Sequence, residues 1–542
     1  MTTTPTSGAE LRLNQQDPNL APVRFSVFLF TLVVVLYVAA RFWRLTSSCL
    51  WFDEIFGVHA ARHNWTEMFK FVAADIIHPP LFYALLKVWI GIGGESLLWL
   101  RLLPVVFSVA AIVPLVLLAR ELRLGENEKK LALTFLAVNG YLIKYAQEVR
   151  MYSLLFLLTC ASIWLFVKFI NARNSTKMLL ALAVINFLLV YTHYYGWLVV
   201  IVELLTLLLW WRHRAAKLLL TILALILSYL PWLYLITISK EPGRGLAQNI
   251  GWVARPGPGD VAQFFSMLNT PFFFRQSSVS SLYDVWSICL SLLIFGLPLA
   301  ALLREALMKR EAGVAPVRVY WWLTSLAFLP VLLAFLLSWV LPHSIWGTRH
   351  LIVAAGPYAI LAALALVRLR PTWARTACLV LLSCWLTLNG AVFLFQRPTS
   401  FIWCTWEPLA QQMMKSEDGS REVQIYAYED LVAYHLWFAL DTARRQGAFD
   451  RFKVHVVKGI PGLREDPAYF LPRRFYGVES QDGAALKGES VWIAFRDSVW
   501  HTQRPPLSLI EAQGYETGRV FELPAQGQRA FLVELRRTGQ TR

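Results

Sequence analysis

Charge is what this chain lacks. Only 16% of its 542 residues are charged, against about 25% in a soluble domain. Apolar types make up 57%, and mean hydropathy is +0.49. These values exclude an ordinary soluble domain and indicate a multi-pass membrane protein. Cysteine is scarce too. The six are Cys49, Cys160, Cys289, Cys378, Cys384 and Cys404. They form no CxxC pair and no metal-ligand spacing, and most lie in apolar runs as small core residues. There is no Walker A motif, and Gly91-Ile92-Gly93-Gly94 lacks the preceding strand of a nucleotide site. A soluble nucleotide sugar is therefore not the expected donor. No internal repeat or low-complexity tract occurs. Residues 1–23 lack the charged start, short apolar core and cleavage site of a signal peptide, and read as a flexible cytoplasmic tail.

Long apolar runs are what is present. A spanning helix needs about 20 apolar residues. Such runs lie near 24–44, 98–120, 131–147, 153–170, 178–193, 196–211, 217–238, 282–303, 319–341, 351–368 and 374–395, which predicts about eleven spans. The net charge is +16, which in a soluble protein would raise nucleic acid as a partner. Here the basic residues cluster between apolar runs, and nucleic acid is not indicated. The clusters are Arg120, Arg123, Lys129 and Lys130; Arg173 and Lys177; Arg212, Arg214 and Lys217; Arg304, Lys309, Arg310 and Arg318; and Arg368, Arg370 and Arg375. Basic connections stay in the cytoplasm. The excess also suits anionic lipid head groups or a phosphate-bearing substrate.

This alternation places the N-terminus inside and the C-terminal region outside. Asp53-Glu54, Gln147–Tyr152, Thr192–Gly196, 239–281 and 342–350 fall on the outer side, and Cys49 and Cys404 both fall near that face, where a disulfide is conceivable though the sequence gives it little support. Residues 79–97 open on Pro79-Pro80 and are cut short by Gly91, Gly93 and Gly94. Counted as a span they would invert every later basic loop, so they read as a helix at the outer interface. Residues 55–71 read as another, with Phe56, Phe69 and Phe71 dipping into lipid. From about Pro398 the composition changes. Glu422–Glu429, Phe452–Lys458, Val491–Phe495 and Ala530–Leu535 read as strands and Leu431–Ala439 as a helix. The organisation is then a tail (1–23), a transmembrane domain (24–397) and an extracytoplasmic α/β domain (398–542).

Two adjacent carboxylates, Asp53 and Glu54, sit just after the first apolar run. Ionisable residues at a membrane boundary point to a functional site. The bland alternative is that Asp53 caps a helix beginning near Glu54; the functional one is a general base. In Gln147-Glu148-Val149-Arg150-Met151-Tyr152, Arg150 either pairs with Glu148 or binds phosphate with its forked guanidinium. Lys144 adds charge one turn earlier. In Thr192-His193-Tyr194-Tyr195-Gly196 the tyrosines suit an interfacial belt, while His193 suits an anion or a carboxylate. In Gly347-Thr348-Arg349-His350, Arg349 either snorkels or joins Arg150 at an anion. His59 and His63 share a helical face, but there is no HExxH motif and no third ligand, so no metal site is assigned.

The order of these motifs resembles bacterial GT-C glycosyltransferases. An Asp-Glu pair in the first outer loop is followed by His78-Pro79-Pro80-Leu81-Phe82-Tyr83 and then by Gln-Glu-x-Arg-Met-Tyr before a span. The resemblance covers roughly residues 24–395. It is nearest to the branch that includes protein O-mannosyltransferases and the lipid A aminoarabinose transferase. It implies transfer of a sugar, with inversion, from a polyprenyl-phosphate carrier to an acceptor on the outer face of a bacterial cytoplasmic membrane. Asp53 matches the family's base, with Glu54 beside it. Arg150, Tyr152 and Arg349, together with Lys144, are the candidates for the donor phosphate. His78, Tyr83, His193, Tyr194 and His350 are the candidates for substrate contacts. No cofactor is required by the motifs; whether a divalent cation assists is left open. None of the family's soluble domain types is recognised in 398–542, so glycolipid, polysaccharide and protein all remain as acceptors. The alternative of a different class is a transporter or flippase for a lipid-linked anion. A transporter favours midplane ionisable residues and internal repeats, which the sequence does not display.

Overall fold

A computed structural model of the chain describes residues 13, 23–172, 175–239, 250–251, 253–274, 282–308, 315–396, 401–417, 421–448, 450–458, 477–482, 486–497 and 514–538. Most of the N-terminal tail, Arg173, Lys309, Arg310, Pro398 and parts of the 239–281 loop lie outside the described residues. The chain divides into two compact units. One comprises Met1–Leu45, His78–Ile238 and Val253–Gln396; the other comprises Thr46–Ile77, Ser239–Trp252 and Arg397–Arg542.

The first unit is helical. Among the described residues, seven helices are long and apolar enough to cross a membrane: Leu97–Glu121, Tyr152–Asn171, Ala216–Ser239, Leu282–Met308, Val317–Val340, Thr348–Arg368 and Thr372–Phe395. Val27–Phe42, Leu81–Gly93, Thr176–Thr192 and Gly196–Trp210 are shorter apolar helices. The protein is thus a multi-pass helical membrane protein. Tyr152–Asn171 and Thr348–Arg368 are largely buried, whereas Leu220 and Leu388 on the outer helices are exposed, as a lipid-facing surface requires.

One predicted span is not continuous. The run at 131–147 breaks into Glu126–Val138 and Gly140–Ala146 at Asn139. Asn139 leaves helical geometry and accepts from Leu142 N, while its amide donates to the carbonyls of Met267 and Leu268. Buried Arg41 completes the end of the preceding helix. Its guanidinium donates to the Leu136, Ala137 and Tyr37 carbonyls and to Ser108 Oγ, satisfying carbonyls that a helix end leaves open. A second buried network joins three helices. Ser162 and Asn186 both donate to Glu203.

The second unit holds a six-stranded sheet: β1 Val423–Ala427, β2 Phe452–Lys458, β3 Val478–Asp482, β4 Ser490–Arg496, β5 Tyr515–Ala525 and β6 Gln528–Arg537, in the order β3-β2-β1-β4-β6-β5. The β3-β2-β1-β4 part is parallel; β6 pairs antiparallel with β4 and β5. Central β4 is buried on both faces, as parallel sheets require. Helices Trp406–Ser416 and Asp430–Arg445 pack on the sheet through Leu409, Met413, Val432 and Leu436.

Residues 52–75 depart from the sequence expectation. They form two helices, Phe52–Arg62 and Trp65–Asp75, separated where Asn64 accepts from Glu67 N. Phe56 and Phe71 do not dip into lipid. They stack on each other at 4.6 Å and both are buried; only Phe69 stays partly exposed, beside Trp65. Their apolar face is used for core packing. Cys49 and Cys404 form a disulfide, with Cα atoms 5.3 Å apart.

Candidate functional site

Four turns of the first unit, each at the end of a helix, converge. His78 precedes Pro79-Pro80, and Pro80 starts helix Leu81–Gly93, whose first turn carries buried Tyr83. The Gln147–Met151 turn is fixed by Gln147 Nε2, which donates to the carbonyls of Arg41 and Trp43. That anchor aims Arg150 inward. Arg150 is buried and donates to Tyr83 Oη at 3.1 Å and to His78 Nδ1 at 3.2 Å. His193 ends helix Thr176–Thr192 in an extended conformation, and its Nδ1 accepts from Tyr195 N at 3.1 Å. The Gly347–His350 turn is held by Tyr141 Oη, which donates to the Thr348 carbonyl, and by Tyr195 Oη, which donates to Ile345. A Cβ at Gly347 would lie 2.7 Å from His350 Nδ1, so a side chain there would displace the His350 ring.

The imidazoles of His78, His193 and His350 form the centre. Ring centroids are 5.2 Å apart for His78 and His193, 4.7 Å for His193 and His350, and 5.9 Å for His78 and His350. One nitrogen from each ring lies within 4.8 Å of the other two. All three Nε2 atoms are buried and have no hydrogen-bond partner among the described residues. Tyr152 stacks on His350 at 6.1 Å. Burial and then the positive charge of Arg150 hold His78 well below the usual imidazole range. Burial, Arg150 and Arg349 bring His193 down to about 3. Both are neutral imidazoles at neutral pH. The site therefore combines guanidinium charge with uncharged donors in a buried setting, the environment in which perturbed groups mark functional sites.

The structure brings His78, Tyr83, Arg150, Tyr152, His193, Arg349 and His350 into one neighbourhood, the charge of Arg349 acting on all three histidines. Tyr194 is half-buried. Its neighbour Tyr195, assigned with it to an interfacial belt, is the buried one, with its ring 5.3 Å from His350. Lys144 forms an ion pair with Glu148 at 3.3 Å.

The first-loop carboxylates belong to the second unit. The helix starts at Phe52, and Glu54 accepts from Trp51 N at 3.0 Å. Glu54, not Asp53, is the capping carboxylate, and it is buried. Asp53 sits half-buried in the first turn, where the helix dipole favours a carboxylate. His59 hydrogen-bonds Tyr434 Oη at 2.7 Å and packs against Phe71 and Trp437; with His63 4.9 Å away it forms part of an aromatic core.

No family model matches the chain, and no curated protein matches it significantly by sequence. Among solved structures, ArnT from Cupriavidus metallidurans bound to undecaprenyl phosphate aligns over 95% of this chain and 98% of its own, with TM-score 0.55 and 13% identity. The apo state of that ArnT aligns over 94% and 98%, with the same TM-score and identity. At 13% identity the likeness is one of fold. It runs over nearly the whole length of both chains.

Proposed function

We propose that this chain is a membrane glycosyltransferase that moves a sugar from a polyprenyl-phosphate-linked donor to an acceptor hydroxyl at the outer face of the cytoplasmic membrane. The observation that carries this reading is the buried convergence of Arg150, Tyr83 and three histidines, with Arg349 adjacent, in a fold shared with a structure that holds undecaprenyl phosphate. A phosphate leaving group needs positive charge and hydrogen-bond donors where negative charge develops, and these residues are of that kind. The first unit also has an apolar cavity of about 300 Å³ lined by Val261, Phe264, Phe265, Ile288, Ala327 and Phe328. Phe264 in its wall meets Trp346 and Tyr141 edge to face. Such a lining suits an isoprenoid chain.

Asp53 is the general base of this reading. Its carboxylate takes the proton as the acceptor oxygen attacks the anomeric carbon from the side opposite the phosphate. The new glycosidic bond forms, the bond to the phosphate oxygen breaks with its electron pair, and configuration inverts. Arg150 and Arg349 stabilise the released phosphate. The Cys49–Cys404 disulfide is in keeping with an oxidising outer compartment.

The test is transfer itself. Membranes containing the chain are incubated with a radiolabelled polyprenyl-phosphate sugar, and label is followed into glycolipid, polysaccharide and protein. Transfer that disappears in Asp53→Asn supports the reading. Movement of a labelled lipid-linked anion across vesicles, with no sugar transferred to any acceptor, overturns it in favour of a transporter.

A further inference from the structure

Three histidines that bring a nitrogen each within 4.8 Å of the others resemble a zinc site in outline. The hydrogen bonds around them point elsewhere. The partner of His78 Nδ1 is an arginine N–H, and the partner of His193 Nδ1 is the backbone N–H of Tyr195. Neither group can accept a hydrogen bond. Both Nδ1 atoms are therefore acceptors, and in each ring the proton lies on Nε2. A metal-ligating histidine needs the reverse arrangement, in which the nitrogen away from the metal carries the proton and donates it. Binding metal through Nε2 would push a proton onto Nδ1, directly against N–H groups of Arg150 and Tyr195. Binding through Nδ1 would displace those donors. The donor set does not fit a resident metal ion.

We infer that His78 and His193 are uncharged N–H donors to a tetrahedral oxyanion, and that the three-histidine cluster is a phosphate-oxygen pocket. Their Nε2 atoms are buried and without partners among the described residues, and a buried donor left unmatched is costly. One nitrogen of each ring lies within 4.8 Å of the other two, and an oxygen centred among nitrogens that far apart is about 2.8 Å from each, a normal hydrogen-bond distance. Tetrahedral zinc, with Zn–N of 2.0–2.1 Å, draws its ligand nitrogens to about 3.4 Å apart. Arg150 and Arg349 already supply positive charge, so neutral donors add hydrogen bonds without adding repulsion among cations. The inference deepens the transferase reading and rests on it for the source of the phosphate.

The experiment uses the full chain in nanodiscs and measures binding of undecaprenyl phosphate, inorganic phosphate and Zn²⁺ to wild type and to His78→Gln, His193→Gln and His193→Ala. A glutamine amide still donates an N–H but is a poor zinc ligand. The pocket predicts that His193→Ala weakens undecaprenyl phosphate binding by about tenfold. The glutamine variants stay within a few-fold of wild type, and a chelator changes nothing. One equivalent of zinc that is lost in both glutamine variants, or phosphate binding that requires zinc, overturns the inference. Wild-type affinity in His193→Ala overturns it as well. If inorganic phosphate competes with the lipid only at far higher concentration, the carrier headgroup is the occupant; if both bind alike and both respond to His193→Ala, the pocket takes free phosphate. Retained, histidine-dependent phosphate binding with no sugar transfer from any donor would defeat the proposed function and leave this pocket standing.

Discussion

Arginines serve opposite ends in the two units. On the sheet, buried Glu534 accepts from Arg519 at 2.7 Å and from Arg536 at 3.0 Å, and Arg519 also bonds Glu417. In the same unit, Asp441 gathers Arg62, Arg444 and Arg445. Glu534 and Glu417 answer Arg519 and Arg536 charge for charge, and Asp441 ties three arginines to one carboxylate. In the first unit Arg150 donates to a phenol and an imidazole, beside three imidazole nitrogens that have no hydrogen-bond partner among the described residues. Under the proposed function the same residue type is a tie in one place and a receptor in the other. Carboxylate-tied clusters should report on stability when altered; donor-rich ones should report on ligand binding and rate.

The largest effect expected is at Asp53. Asp53→Asn keeps size and most hydrogen bonding but cannot take a proton, and general base catalysis contributes about 10²–10⁴-fold. Steady-state transfer should fall by that order while donor binding and folding persist. Glu54→Gln should lower stability more than rate, because Glu54 is the helix cap. Near-normal transfer in Asp53→Asn would remove it as base. Next is Cys404→Ser, which opens the disulfide; loss of such a link typically costs about 2–5 kcal/mol. Thermal melting should drop with little change in donor affinity at temperatures where the protein stays folded, and a large affinity change there would blur the division drawn above.

Arg150→Ala should act in the opposite sense. Loss of a charge-assisted bond costs about 1.5–3 kcal/mol, so donor affinity or the rate of phosphate departure should fall at least about tenfold. Arg349→Ala should behave likewise. Unchanged kinetics over a range of donor concentrations would take both residues out of the site. The smallest effect concerns acid. Burial pushes Glu534 up, but hydrogen bonds from Arg519 and Arg536 outweigh it and bring it from 4.5 down to about 2. Its folded pKa is lowered, so its contribution to stability is full above about 4.5 and is lost as pH falls from there towards 2. Denaturant midpoints of the wild type should decline across that window, and Glu534→Gln should flatten the decline. An equally steep decline in the variant would assign the acid lability to other groups.

Much of this was legible in the chain. Helical spans, the start of the C-terminal domain, β1, β2, β4 and β6 all announce themselves by apolar content. β3 and β5 do not. Val478–Asp482 is mostly polar, and Tyr515–Ala525 carries Gly518 and Pro524; both lie at sheet edges, where burial imposes little pattern. Phe56 and Phe71 misled because an apolar helical face looks the same whether lipid or protein covers it. The motifs named His78, His193 and His350 one by one. Their convergence depends on packing between helices far apart in sequence, and their tautomers depend on single hydrogen bonds, neither of which leaves a periodic trace. Arg41 and Glu203 had a signal that was passed over, an ionisable residue set within an apolar run.

The Cys49–Cys404 bond also orders events in time. Cys49 is made early, and its partner follows 355 residues later. The bond can close only after every intervening span has been threaded and Cys404 has reached the same compartment as Cys49. Oxidation thus follows the synthesis and placement of everything between. A chain that skips or inverts one span leaves the two thiols on opposite sides of the bilayer. A non-reducing gel of newly made protein would then count correctly threaded molecules directly.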